Sequence, residues 1–255
     1  MIDQGGTSGP DGPLEPGETP DAALGGAVRL IQPRRGYRFA LDSVLLARFA
    51  SEHPGRRAMD LGCGCGAVSL CLIALGGARE VVGIDVQDAM VDRALRSARW
   101  NRWQEKASFR VADLRTVREH FTPQSFDRVV SNPPYRPLGA GRVSPDASAA
   151  LSRHEVSCSF PDVAGAAAYL LGPGGEFCAV YPATRLTSLL GGCREAGLEP
   201  KALWPVHPGP GEAASLALVR CTRGGGEGLE VRSPLFLHAP GARYSAEAER
   251  LLGPP

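Results

Sequence analysis

Asn132-Pro133-Pro134-Tyr135 closes the apolar run Phe126-Asp127-Arg128-Val129-Val130. That run is short and β-branched, and it reads as a buried strand stopping at the proline pair. Two prolines fix φ twice, remove two N–H donors and push Asn132 away from the α region. The strand's carboxyl end then carries a stiff shelf with an amide side chain, acceptor-only carbonyls and a ring. The Asn132 carboxamide oxygen and the Pro133 carbonyl can each accept one hydrogen bond from an exocyclic NH2 group. Tyr135 could stack on the ring bearing that amine. Open α/β sheets bind their ligands in this place. Asn-Pro is also a common turn starter, so the surrounding chain has to decide.

Upstream, residues 57–61 read as a strand running into Gly62-Cys63-Gly64-Cys65-Gly66-Ala67, followed by a helix through Leu75. Such glycines let the backbone turn tightly and approach a ligand, with a helix N-terminus beyond. The next strand, 81–85, ends on Asp85, where a nucleoside cofactor presents ribose hydroxyls. With Ala67 in the third position the loop also satisfies the dinucleotide fingerprint, so it suits NAD as well as adenosylmethionine. Asp60 favours the latter, because it can pair with a cofactor's ammonium and NAD has no need of an acid there. After a helix over 88–103 and a strand over 107–112 comes Asp113, placed either to meet an adenine amine or to cap the next helix.

These elements imply an α/β sheet in a chain of 255 residues, enough for one domain with appendages. At 43% hydrophobic and 22% charged the composition is that of a soluble globular protein whose core needs no disulfides. Seven cysteines without a Cys-x-x-Cys pair give neither a disulfide framework nor zinc-finger spacing, and fit a reducing compartment. No secretory signal and no membrane-length apolar run is visible. Residues 1–27 hold five acids, no Lys or Arg and few large apolar side chains, and are expected to form a disordered Gly/Pro-rich leader. The rest, 28–255, then carries 28 basic against 22 acidic residues, a net +6. Its arginines cluster at 29, 34, 35 and 38 and again at 136, 142 and 153, as phosphate contacts would.

Further elements read along the chain are a strand over 28–31, a helix over 44–50 capped by Asp42 or Ser43, and a long polar loop over 136–159. Helices over 161–171 and 184–196 alternate with strands over 176–181, 198–205 and 213–220, the last two forming an antiparallel closing pair. A C-terminal extension from 224 carries one more short strand, 229–237.

In order and spacing, Asp60, Gly62-x-Gly64-x-Gly66, Asp85, Asp113 and Asn132-Pro-Pro-Tyr resemble the motif series of class I S-adenosylmethionine-dependent methyltransferases that act on planar amino or amide nitrogens. Three more stretches narrow the resemblance. They are Gly36-Tyr37-Arg38-Phe39-Ala40-Leu41-Asp42-Ser43-Val44-Leu45-Leu46, Arg153-His154-Glu155, and Leu235-Phe236-Leu237-His238 ahead of Tyr244-Ser245. With them the chain resembles bacterial tRNA1(Val) adenine-N6 methyltransferases over residues 28–252.

The resemblance implies a Rossmann-like α/β fold, a seven-stranded, mostly parallel sheet with an antiparallel closing pair. It implies S-adenosyl-L-methionine as cofactor, held by Asp60, Gly62, Cys63, Gly64, Gly66, Asp85, Val86, Asp113, Leu114 and Asn132. Asn132, Pro133, Pro134 and Tyr135 would carry the transfer, without a metal. Arg38, Phe39, Arg136, Arg142, Arg153 and His154 would contact the substrate, a tRNA anticodon loop in the cytoplasm. His154 reads as a hydrogen-bonding or phosphate-contact residue, since an amine that gains a methyl cation turns acidic and needs no base in the transition state. The acidic leader has no counterpart in that family, and residues 205–211 are richer in Pro and Gly than its usual loop.

Rival readings share parts of this pattern. Glutamine-amide methylation of release factors uses Asn-Pro-Pro-Tyr but follows a helical domain, for which too little chain precedes Asp60. DNA adenine methylation usually needs an added target-recognition domain, and no such insertion is visible. Ribosomal RNA base methylation, a catalytically silent RNA-binding module and an NAD-dependent oxidoreductase are the others.

Overall fold

The computed structural model of the protein describes residues 14–35, 41–133 and 158–255. Strand periodicity organises its centre. In β3 (Gly55–Leu61), β4 (Ala78–Asp85), β6 (Phe126–Ser131) and β7 (Leu171–Pro182), neighbouring residues feed opposite cores. Ala58, Val81, Val130 and Val180 enter one core; Met59, Val82, Val129 and Ala179 enter the other. Strands apolar on both faces need cover on both. One face receives α1 (Leu41–Ser51), α2 (Ala67–Ala74) and α3 (Asp88–Trp100). The other receives α5 (Phe160–Leu170) and α6 (Leu186–Glu195), with the short α4 (Val117–His120) at its margin. Every residue of α2 from Ala67 to Ile73 is buried, which suits a helix packed against the sheet, α1 and the N-terminal hairpin.

With β5 (Ala107–Val111), β8 (Leu198–His207), β9 (Leu216–Arg223), β10 (Glu230–Val231) and β11 (Leu235–Phe236), the described residues form a nine-stranded sheet. Its order is β10-β8-β9-β7-β6-β3-β4-β5, with β11 also on β8. Only β9 runs against its neighbours β7 and β8. The expected seven-stranded class I methyltransferase sheet with its closing pair is thus present, extended at the β8 edge. From β3 the chain steps outward through β4 to β5, then returns to place β6 on the other side of β3. This reversal opens a crevice above the carboxyl ends of β3 and β6.

Two expectations need correction. Residues 1–27 were read as a disordered leader, yet β1 (Glu18–Ala23) pairs antiparallel with β2 (Val28–Pro33). The Glu18 carboxylate, almost fully buried, takes Arg96 at 2.6 and 2.7 Å and Arg93 at 2.9 Å, both on α3. Those bonds, Arg96 first, draw its carboxyl down to about 2. Ordering came from partners 75 and 78 residues away, which a local count of apolar residues does not register. The single strand expected over 229–237 is two short ones, β10 and β11, separated around Pro234, which has no N–H to donate to a ladder. The last helix, α7 (Ala246–Leu252), docks on α1: Arg48 donates to the carbonyls of Leu251, Gly253 and Pro254.

Candidate active site

The glycine loop leaves β3 bonded to the adjacent strand. The amides of Gly62 and Cys63 both donate to the Ile84 carbonyl at 2.9 Å. Gly62, Gly64 and Gly66 all have positive φ, and Gly66 enters α2 from the left-handed region. A side chain at Gly66 is disfavoured on a second ground: its Cβ would crowd the Phe109 ring at 3.0 Å and Ala94 at 3.2 Å. At Gly62 and Gly64 the same atom would meet nothing within 4 Å, so the loop turns bare backbone toward open space. That is the form of a cradle for a ligand that approaches main chain closely.

Asp85 closes the loop from β4. Its oxygens accept from the Gly64 amide and the Gln87 amide, each at 2.9 Å. Burial raises its carboxyl above the ordinary range. Val86 follows it, apolar yet 45% exposed. Asp60 lies beneath, 1% exposed, accepting from Ser69 Oγ at 2.6 Å. Burial pushes its carboxyl up to about 7, and nearby Asp85 adds to the rise. The buried thiol of Cys65 is pushed up to about 12, and Cys63 rises for the same reason, so both loop cysteines are neutral thiols.

Asn132 leaves the end of β6 across the crevice, 8% exposed, with Nδ2 donating to Ser43 Oγ of α1 at 3.1 Å. Beside it Ser131 Oγ donates to the Leu61 carbonyl at 2.8 Å, which ties the two strand ends together. Pro133 follows, partly exposed. The structure therefore gathers Asp60, Gly62, Cys63, Gly64, Gly66, Asp85, Val86, Asn132 and Pro133 at one end of the sheet. Asp113 follows β5 and takes the capping alternative: it accepts from the Arg115 amide at 2.9 Å and pairs with its guanidinium at 2.5 Å. Arg115 lowers its carboxyl accordingly. Leu114, next in chain, is half-buried. Arg38, Phe39, Pro134, Tyr135, Arg136, Arg142, Arg153 and His154 lie outside the described residues.

Three residues contribute to the site in ways the sequence reading does not anticipate. Asp42 or Ser43 is the expected helix cap, but α1 already includes Leu41, and Ser43 instead reaches Asn132. Ser69 holds Asp60; a lone hydroxyl in an otherwise apolar helix was its signal. Phe109 of β5 fills the space left by two absent side chains, since a Cβ on Gly83 would lie 2.5 Å from its ring and 2.9 Å from Cys63 Cβ. It thereby supports the glycine loop from below.

A methyltransferase-domain family model matches residues 52–197, more than half of the chain. A tRNA1(Val) (adenine(37)-N6)-methyltransferase of Parabacteroides distasonis is 31% identical over 172 residues, covering 66% of this chain and 70% of its own. Its counterpart from Phocaeicola vulgatus is 29% identical over 187 residues, covering 73% and 77%. Among solved structures, a predicted O-methyltransferase from Agrobacterium tumefaciens superposes with a TM-score of 0.65 at 24% identity, over 82% of this chain and 94% of that one. That likeness concerns the fold. The chain belongs to the tRNA1(Val) adenine-N6 methyltransferase family and is an S-adenosylmethionine-dependent N-methyltransferase.

Proposed function

We propose that this enzyme methylates the exocyclic N6 of an adenine in a tRNA, next to the anticodon of a valine tRNA, and that it works in the cytoplasm. The observation that carries this is a buried carboxamide, Asn132, fixed at the topological switch point across from the glycine cradle. The relatives' shared name points to the same chemistry.

S-adenosylmethionine supplies a methyl that its sulfonium already makes electrophilic. The bare backbone at Gly62 and Gly64, Asp85 for ribose hydroxyls and Asp60 for positive charge fit that cofactor. Val86, Asp113 and Leu114 would flank and meet its adenine, with Asp113 exchanging part of its Arg115 pairing. Asn132 Oδ1 and the Pro133 carbonyl would each accept a hydrogen bond from one N6–H, which orients the amine and localises its lone pair. The amine so held would take the methyl that the cofactor supplies and then lose a proton to solvent. Positioning of this kind contributes about 7–11 kcal/mol when reacting atoms sit near attack distance. Tyr135 would stack on the extruded base, a contact worth about 1–3 kcal/mol. The arginines at 38, 136, 142 and 153, with His154 and Phe39, would hold the RNA strand.

The test offers radiolabelled S-adenosylmethionine with unmodified total tRNA, ribosomal RNA and release factor separately, then digests labelled RNA to nucleosides. Label in N6-methyladenosine from tRNA is expected. Label in protein alone would replace adenine by a glutamine amide while leaving the role of Asn132 standing.

A further inference from the structure

Ser43 is a hydroxyl surrounded by buried apolar neighbours. It is 3% exposed in the first turn of α1, where Val44, Leu45, Leu46 and Ala47 are all buried. A hydroxyl withdrawn from water is costly unless it is hydrogen-bonded. Its partner here is Asn132 Nδ2, 89 residues away in sequence and 3.1 Å in space.

A carboxamide is planar, with a donor on one branch and an acceptor on the other. When Nδ2 is engaged by Ser43, the other branch is Oδ1. A half-turn of the amide would swap the two and present N–H groups to an incoming amine that itself donates. The same strand end is anchored a second time, through Ser131 Oγ to the Leu61 carbonyl. Leu61 directly precedes Gly62, so one anchor indexes the strand carrying Asn132 to the cofactor loop. The other holds the amide by its nitrogen.

We propose that Ser43 is a positioning residue for methyl transfer: its hydroxyl holds the Asn132 amide with the acceptor oxygen turned toward the substrate nitrogen. This rests on the assignment of Asn132 as the amine acceptor. It gives α1 a part in the transfer step, besides its packing on the sheet.

The test is Ser43→Ala, which removes one atom and leaves the helix intact. Its rate is measured on whichever of unmodified tRNA, ribosomal RNA or release factor the wild-type enzyme labels. A change of acceptor then counts against the adenine reading alone. Loss of one neutral hydrogen bond to Asn132 is expected to lower kcat about tenfold. The Kd for S-adenosylhomocysteine and the acceptor KM should both stay within about twofold, the signature of an interaction acting after binding. In 15N-labelled protein the Asn132 side-chain NH2 signals, assigned by their loss in Asn132→Ala, should shift in Ser43→Ala. An unchanged kcat overturns the proposal. So does a fall in kcat matched by an equal loss of cofactor affinity, or an Asn132 amide signal that does not move.

Discussion

At the carboxyl ends of β3 and β4, Asp60 and Asp85 are buried beside hydroxyl and amide groups; near the amino end of β6, the half-buried Glu176 of β7 lies beside Arg128 and Arg220. Asp60 has Ser69, and Asp85 has the Gly64 and Gln87 amides. Burial raises both. Glu176 takes Arg128 at 2.7 Å and His53 at 2.7 Å, with Arg220 at 3.7 Å. Glu52 takes Arg232 through two bonds of 2.6 Å and Arg220 at 3.1 Å. Burial pushes these two up as well, but hydrogen bonds from their partners and the charge of the arginines outweigh it and hold both below the ordinary range. Desolvation opposes ionisation of the acids at both ends, and among the described residues only one end supplies cations to offset it. An acid buried with no cation among the described residues fits the role proposed for Asp60, to meet the positive charge of S-adenosylmethionine. An acid buried with arginines is already part of the frame.

The largest expected effect lies at the compensated end. Glu176→Ala leaves Arg128, whose side chain is 4% exposed, without its carboxylate. Breaking a buried pair from one side costs about 3–5 kcal/mol. Urea unfolding should register that loss, while cofactor affinity of the folded fraction stays unchanged. A loss below about 1 kcal/mol would class these pairs with surface ones and remove the contrast. At the other end, Asn132→Ala should lower methyl transfer by about 10²-fold or more through lost orientation of the amine. Calorimetry should find cofactor binding near wild type, and an equal loss there would sink the role given to Asn132.

The site end was largely legible in the sequence because its parts are local. Asp60 runs straight into the glycines, Asp85 ends the next strand, and Asn132 precedes two prolines; each signal lies within a few residues. What stayed hidden depends on distant partners. Glu18 finds Arg93 and Arg96 on α3, Asn132 finds Ser43, and Arg128 pairs with Glu176 only once β6 and β7 are in register. No periodicity encodes such pairings. The composition of residues 18–26 even argued against order, since it shows the acids and not the arginines that receive Glu18. Asp113 offered two readings from one position, and Arg115 two residues later decides for the cap in the structure.

Gly83 sharpens the comparison at the level of packing. Its missing Cβ makes room for Phe109, which also closes on Gly66. Gly83→Ala should overpack this point, destabilising by about 1–3 kcal/mol. Because the displaced ring lies under the cofactor loop, cofactor affinity should fall as well. Stability lost with cofactor affinity intact would show that Phe109 packs the core without shaping the loop.

The smallest effect per step, and the most direct test of the uncompensated end, is proton linkage at Asp60. Its folded value near 7 lies above the ordinary 3.8. This acid therefore contributes stability that is full below 3.8 and is lost as pH rises through about 7. Glu176 works in the opposite sense, stabilising above its unfolded value and losing that contribution on acidification. On the proposed pairing of the Asp60 anion with the cofactor's positive charge, binding below about pH 7 expels a proton and affinity should fall by up to about tenfold per pH unit. Calorimetry in two buffers of different ionisation enthalpy should detect proton release at pH 6 and little at pH 8. Asp60→Asn keeps a partner for Ser69 and should fold at least as stably, yet bind the cofactor weakly at every pH. A wild-type affinity flat from pH 6 to 8 would mean that Asp60 does not meet the cofactor's charge, and the two sheet ends would then differ in packing alone.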